Sequence, residues 1–224
     1  MAAQKRKTII LVGDGMGDRP IAELGGLTPL EYAATPAMDF VAAQGELALL
    51  QTVPDGYPPG SDVANLSLLG YCPEECYSGR APLEAASLGV ALAPNDIAFR
   101  CNLVTLDFLG EERVSMVDYS AGHISTAEAH ELIAALQQLN QPGLTFYPGV
   151  SYRHLLVAKD GPETLATEPP HDHSGKEVGP IWARLLQSSL GDTVRAAVAI
   201  LADHLVNQGR LARGQNPANA IWLW

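Results

Sequence analysis

The stretch TIILVGDGMGDRP, residues 8–20, runs five β-branched or apolar residues straight into a glycine turn that carries Asp14 and Asp18. An unbroken apolar run of this kind reads as a parallel strand covered on both faces. The glycines read as the turn at its carboxyl end, where open α/β folds place their ligands. Downstream, Thr28 and Thr35 each precede a proline and have an acid close behind, the chemistry of a helix start, and Gly45 closes the segment. Residues 46–53 read as a second strand. Strand, helix and strand make a βαβ unit, so the chain is assigned to the α/β class.

Bulk properties narrow the function. The chain has 224 residues, 47% of them hydrophobic, enough for one large core or two modest ones. Fourteen basic against 25 acidic residues leave a net charge of -11, which repels nucleic acid and anionic lipid. Neither is expected as a partner. No run approaches the roughly 20 apolar residues of a membrane span, and the apolar run behind the basic N-terminus is too short for a signal peptide, so the chain reads as cytoplasmic. Cys72, Cys76 and Cys101 are an odd set without a disulfide framework. No second Cys/His pair at finger spacing follows CPEEC, so zinc held by these thiols is set aside.

After the Pro/Gly loop at 54–60, Ser61 reads as the cap of a helix reaching Gly70. Residues 71–95 look irregular with a short helical patch, and residues 96–108 look like a strand. Ser125 opens a capping box with Glu128, and Ala129, Leu132, Ile133 and Leu136 repeat at helical spacing. One or two strands follow in 143–160. A further helix is expected over 192–207, ended by Gly209. The final residues, NPANAIWLW, look like a strand.

Two features suggest chemistry. In a dinucleotide loop of the form G-x-G-x-x-G the third glycine would fall where Asp18 stands, and two carboxylates would face a pyrophosphate. A nucleotide-dependent dehydrogenase is therefore a poor reading. A carboxylate on a tight turn suits a divalent cation, and its plain alternative is a turn in which the side chain bonds nearby amides. Ser61 behind Pro-Pro-Gly suits a phosphorylated or metal-activated hydroxyl at a helix start, against the plain alternative of an N-cap.

The ordered set VGDGMGDRP, PPGSDVANLSLLGY, SGRAPLEAASLGV, FRCNLVTLD, DYSAGHI, GVSYRHLLV, PPHDHSGK and NPANAIWLW resembles the archaeal-type cofactor-independent phosphoglycerate mutases of the alkaline phosphatase superfamily. The resemblance spans nearly the whole chain. It implies interconversion of 3-phosphoglycerate and 2-phosphoglycerate, in glycolysis and gluconeogenesis, through a phosphoserine. It also implies two divalent metal ions, manganese foremost with magnesium, cobalt or zinc as alternatives, and no 2,3-bisphosphoglycerate. By the same resemblance Asp14 is a metal ligand, Ser61 is nucleophile and metal ligand, and His123, Arg153 and His154 lie near a small phosphorylated substrate. Arg100 and Arg210 are candidate clamps for phosphate and carboxylate, which a guanidinium grips through paired hydrogen bonds, against the plain alternative of surface cations. His171 and His173, pointing opposite ways on an extended chain, are read as a polar loop near the substrate rather than a metal site.

The implied architecture is an alkaline-phosphatase-like core with an inserted α+β substrate domain. Residues 1–75 would be the N-terminal part of the core, 76–205 the insert and 206–224 the return to the core. In this family the remaining metal ligands follow the last motif, so the chain is read as an N-terminal fragment without turnover of its own. The rival readings are a metal-dependent phosphatase or phosphodiesterase of the same superfamily and a non-catalytic module that binds a phosphorylated ligand. Oligomeric state is left open.

Overall fold

The computed structural model describes residues 7–13, 15–57, 59–110, 113–161, 165 and 168–224. Asp14 lies outside the described residues. The chain divides into two compact units, residues 1–59 and 60–224.

In the first unit the helix signals hold. Helix α1, Pro29–Tyr32, starts at Thr28, whose hydroxyl accepts from the Glu31 amide while the Glu31 carboxylate accepts from the Thr28 amide. Helix α2, Pro36–Gln44, follows Thr35 and ends at Gly45. The two expected strands do not form among the described residues: 8–13 and 46–50 are assigned no ladder. A strand is a property of a pair, since its amides and carbonyls need a neighbour. Here Leu11 is 91% and Leu47 82% exposed, so the side chains that signalled burial have nothing over them.

The second unit begins with α3, Ser61–Leu68, α4, Pro73–Cys76, and α5, Arg80–Ser87. Gly60 is the N-cap of α3, with an extended backbone, so Ser61 is its first helical residue rather than its cap. A mixed sheet-and-helix fold follows, with β1, Ile97–Phe108, β2, Val114–Asp118, α6, Thr126–Gln137, β3, Leu144–Val150, and β4, Arg153–Ala158. The chain then makes a 3₁₀ turn at Pro170–His173, followed by α7, Gly179–Gln187, α8, Gly191–Asp203, α9, Leu205–Ala212, and β5, Ala220–Leu223. Every strand pairing is antiparallel, in the order β2-β1-β4-β3 with β5 added on β1.

Ser125 and Glu128 close the capping box that launches α6, and Ala129, Leu132, Ile133 and Leu136 are buried as their spacing requires. They join Phe99, Cys101 and Leu103 of β1 and Val194, Ala197 and Leu201 of α8 in the main core. Alternation along β4 sends Leu156 and Ala158 to that core, and Leu155 and Val157 to a smaller cluster with Ala81 and Ala85 of α5.

The expected helix over 192–207 is two helices. His204 leaves the helical conformation, and its Nδ1 accepts from the Val206 amide, ending α8 and capping α9. Gly209 sits inside α9. The break is fixed by Asn207, 1% exposed, whose Nδ2 donates to the carbonyls of Leu201 and Ala218 and whose Oδ1 accepts from the Ala218 amide.

Candidate functional site

Strand period places two of the expected residues together. Arg100 pairs with Leu155 and Arg153 with Asn102, so both guanidiniums leave the same face of β1 and β4. Arg100 is 8% exposed, with Nη2 2.7 Å from Glu84 Oε1 of α5. Its backbone exchanges hydrogen bonds with Trp224 at 2.8 and 3.0 Å, which brings the guanidinium carbon 4.2 Å from the Trp224 ring centre. The indole is fixed in turn by donating to Asn102 Oδ1 at 3.1 Å. Burial lowers the Arg100 pKa against the pull of Glu84, and the charges of Arg80 and Arg153 lower it further. Arg153 is exposed and lies over Tyr152 at 5.5 Å, beside a cleft of about 210 Å³ lined by Glu84, Ser87, Leu88, Gly149 and Val150.

A row of rings joins the two arginines. Tyr152 meets Tyr119 edge to face at 5.6 Å, Tyr119 meets His171 at 6.3 Å, and His171 meets Trp224 at 5.8 Å. His123 reaches the Tyr152 end of the row, 6.3 Å between ring centres. Its loop is unusual: Ala121, Gly122 and His123 all have positive φ, at 49°, 66° and 49°. L-residues rarely adopt this conformation, so the surroundings must hold it. Asp118 accepts from the Ser120 and Gly122 amides and from the side chains of Ser120 and Asn216. Burial opposes the Asp118 carboxylate, but these donors outweigh it and hold its pKa below the ordinary range.

Ser61 is exposed at the start of α3. Its neighbour Asp62 takes two hydrogen bonds from Arg80, at 3.1 and 3.2 Å, and one from the Tyr77 hydroxyl. Burial works against the Asp62 carboxylate, yet Tyr77 and Arg80 keep its pKa low, while burial and Asp62 push Tyr77 up to about 12. A Cβ on Gly60 would run into the Asp62 carboxylate, so glycine permits this approach. The Arg80 guanidinium lies 6.0 Å from the Trp224 ring centre, on the ring that also carries Arg100.

Two expected residues stand elsewhere. His154 follows Arg153 and so faces away from it. It is 1% exposed, its Nδ1 accepts from the Gly149 amide at 3.0 Å, and its Nε2 is buried without a hydrogen-bond partner among the described residues. Burial, helped by the charge of His130, lowers its pKa to about 4. Arg210, 2% exposed, spends its guanidinium on the carbonyls of Ala121 and Asn216 and on Glu128, so it braces the His123 loop from behind. The expected extended chain at 171–173 is a 3₁₀ turn, which separates its two histidines by rotation rather than alternation.

Asp62, Arg80, Tyr119, Tyr152 and Trp224 were not among the expected site residues, and His171 was expected only within a polar loop near the substrate. Arg80 and Asp62 lie within quoted motifs, but only the fold joins them. Among the described residues no group of three or more His, Cys, Asp or Glu side chains could hold a metal ion, so these residues do not complete a divalent site. Among them, too, no helix is long and apolar enough to cross a membrane. What the arrangement offers is two guanidiniums on one sheet face, histidines and ring edges beside them, and a hydroxyl at a helix start. That suits a small molecule with two acid groups.

A family model described as 2,3-bisphosphoglycerate-independent phosphoglycerate mutase matches residues 42–207. The 2,3-bisphosphoglycerate-independent phosphoglycerate mutase of Methanosarcina barkeri is 53% identical over 222 residues, covering 97% of this chain and 54% of that protein. A protein of Geobacter sulfurreducens described as a probable enzyme of the same kind is 50% identical over 227 residues, covering 97% of this chain and 55% of its own. The chain thus spans about half the length of the curated relatives it matches. The solved structure of the PH0037 protein from Pyrococcus horikoshii is similar with a TM-score of 0.64 at 31% identity, covering 94% of this chain and 48% of that one.

Proposed function

Because the chain belongs to the 2,3-bisphosphoglycerate-independent phosphoglycerate mutase family, we propose that the whole protein interconverts 3-phosphoglycerate and 2-phosphoglycerate through a phosphoserine at Ser61. The observation that carries this reading is the pair Arg100 and Arg153 on one face of adjacent strands, with His123 at the ring row between them. Phosphoglycerate has a phosphate and a carboxylate a few bonds apart. The exposed Arg153 guanidinium can take one of them, and Arg100 takes the other by exchanging its Glu84 partner.

In this reading the Ser61 oxygen attacks phosphorus in line. The Ser61 hydroxyl gives up its proton, the bond from phosphorus to the carbon-3 oxygen breaks as the bond to Ser61 forms, and the carbon-3 oxygen takes up a proton, leaving glycerate. Glycerate stays held through its carboxylate; its carbon-2 hydroxyl then loses its proton to a base and attacks phosphorus, the bond from phosphorus to the Ser61 oxygen breaks, and Ser61 is reprotonated. The amides at the start of α3 would meet the phosphoryl oxygens, as helix N-termini meet anions elsewhere. His123 would contact the substrate hydroxyls. Arg210 and His154 would act one step back, holding the loop of His123 and the hairpin of Arg153.

Two divalent ions, with manganese foremost, belong to the reading, and Asp14 and Ser61 would be ligands. Such ions would neutralise the phosphate and activate the hydroxyl. We also propose that the unpaired, exposed apolar segments at 8–12 and 46–50 are strands of an alkaline-phosphatase-like core, with residues 1–75 its N-terminal part, 76–205 an inserted substrate domain and 206–224 the return. A glycolytic role would place the protein in the cytoplasm.

The test uses the whole protein, with formation of 2-phosphoglycerate followed beside release of free phosphate. Mutase turnover should dominate and Ser61→Ala should abolish it. A Ser61→Ala protein that keeps its mutase rate would overturn the phosphoserine route, and free phosphate as the main product would point to a hydrolase.

A further inference from the structure

We infer that His171 is a further substrate-contacting residue, resting on the reading that phosphoglycerate binds at the Arg100 and Arg153 face. The two histidines of the 3₁₀ turn have been given different work. His173 is turned inward, with Nε2 3.0 Å from Glu168 Oε2 and its ring against Trp222 at 6.4 Å. Glu168 is held as well by Arg184 at 2.7 Å, and its carbonyl accepts from the Trp222 indole. That histidine anchors the turn.

His171 is turned the other way, and its side chain is 47% exposed. It stands edge-on between Tyr119 and Trp224, in the middle of the row whose ends carry Arg153 with His123 and Arg100 with Arg80. Lys176 fixes the turn by donating to the Asp172 carbonyl at 2.7 Å. The charged groups near the ring are Asp172, 3.6 Å from Nε2, and the two arginines on Trp224. A ring held by aromatic neighbours and still open to solvent can donate a hydrogen bond to an acid or hydroxyl oxygen of a ligand lying across the row. Packing alone would not require an imidazole at this position.

The experiment is a titration of the 224-residue chain, labelled at histidine, with 3-phosphoglycerate, followed by imidazole NMR. His171 and His123 should shift together along one binding curve while His173 stays still. His171→Phe keeps a ring between Tyr119 and Trp224 but removes the donor. It should raise Kd about tenfold, the worth of one hydrogen bond to a charged group, without lowering the melting temperature. His171→Gln, which restores a donor, should recover part of that loss, and a purely packing role would give no such recovery. If His123 responds but His171 does not, or if His171→Phe binds as tightly as the parent, this assignment is overturned and the broader reading stands. If no histidine responds at millimolar 3-phosphoglycerate, the substrate site on this chain falls together with the His171 assignment, while the phosphoserine route is judged by the whole-protein assay.

Discussion

Arg210 Nη2 donates to the Ala121 carbonyl at 2.6 Å, joining α9 to a loop 89 residues earlier in the chain. The same guanidinium holds Asn216 through its carbonyl and Glu128 through an ion pair of 2.9 Å. Burial opposes the Glu128 carboxylate, but Ser125, Arg210 and Arg213 together keep its pKa low. One buried cation therefore ties the start of α6, the end of α9 and three successive residues of left-handed backbone.

Arg210→Met follows from this. It leaves two carbonyls and part of a carboxylate without their donor, and removing one partner of a buried charged network costs about 3 kcal/mol or more. Urea unfolding should show that loss, and amide exchange at Gly122 and His123 should speed up more than the global change explains. Arg213→Met removes a half-exposed partner of the same Glu128, and should cost well under about 1 kcal/mol. Equal costs for the two variants would refute the bracing role.

The His154 ring makes stability depend on pH. Its pKa is about 4 in the folded chain against an ordinary 6.5, so between these values the unfolded chain binds the extra proton. Stability is therefore intact above pH 6.5 and is lost as pH falls toward 4, by a total of about 3 kcal/mol. His154→Asn keeps an acceptor in reach of the Gly149 amide but cannot titrate. Its unfolding free energy should fall less over that range than the parent's, and parallel curves would show that another group controls the slope.

How far the sequence can be read depends on the range of the interaction. The capping box of α6 and the long β1 strand were legible, because each is encoded within a few consecutive residues. Apolar runs at 8–12 and 46–53 gave a strand signal that only a neighbouring strand could satisfy. The helix expected over 192–207 runs across the break between α8 and α9 because His204 caps through a ring nitrogen, and histidine carries no cap signature in the sequence. In the site, Arg100 and Arg153 could be picked as arginines, but their shared face depends on register. His154 was expected near the substrate with Arg153 through the resemblance of the YRH motif, and strand alternation turns the two to opposite faces.

Asn207 tests the helix break directly. It makes three hydrogen bonds, to Leu201, to the Ala218 carbonyl and from the Ala218 amide, and all are buried. Asn207→Ala strands these groups without water, which should cost about 3 kcal/mol by thermal or urea unfolding. Gln208→Ala, one residue on and exposed, removes only a bond to the Asp203 carbonyl and should change stability by no more than about 0.5 kcal/mol. If the two cost the same, the buried amide does not fix the break.

Gly149 is where the Arg153 hairpin is tightest. Its amide donates to His154 Nδ1, and its carbonyl lies 2.8 Å from His130 Nε2. A Cβ there would run into the Arg153 carbonyl, which is backbone and cannot swing aside as a flexible side chain would. Gly149→Ala must therefore open the β3 and β4 pairing at its bulge, at a cost of about 2 kcal/mol or more. Gly175 is the control. It has φ of 76° with open space around its missing Cβ, so Gly175→Ala pays only the conformational penalty of about 1 kcal/mol. The hairpin change should also weaken 3-phosphoglycerate binding through Arg153. A Gly149→Ala protein no less stable than Gly175→Ala would show that the hairpin tolerates the side chain and that the glycine is not what shapes the turn.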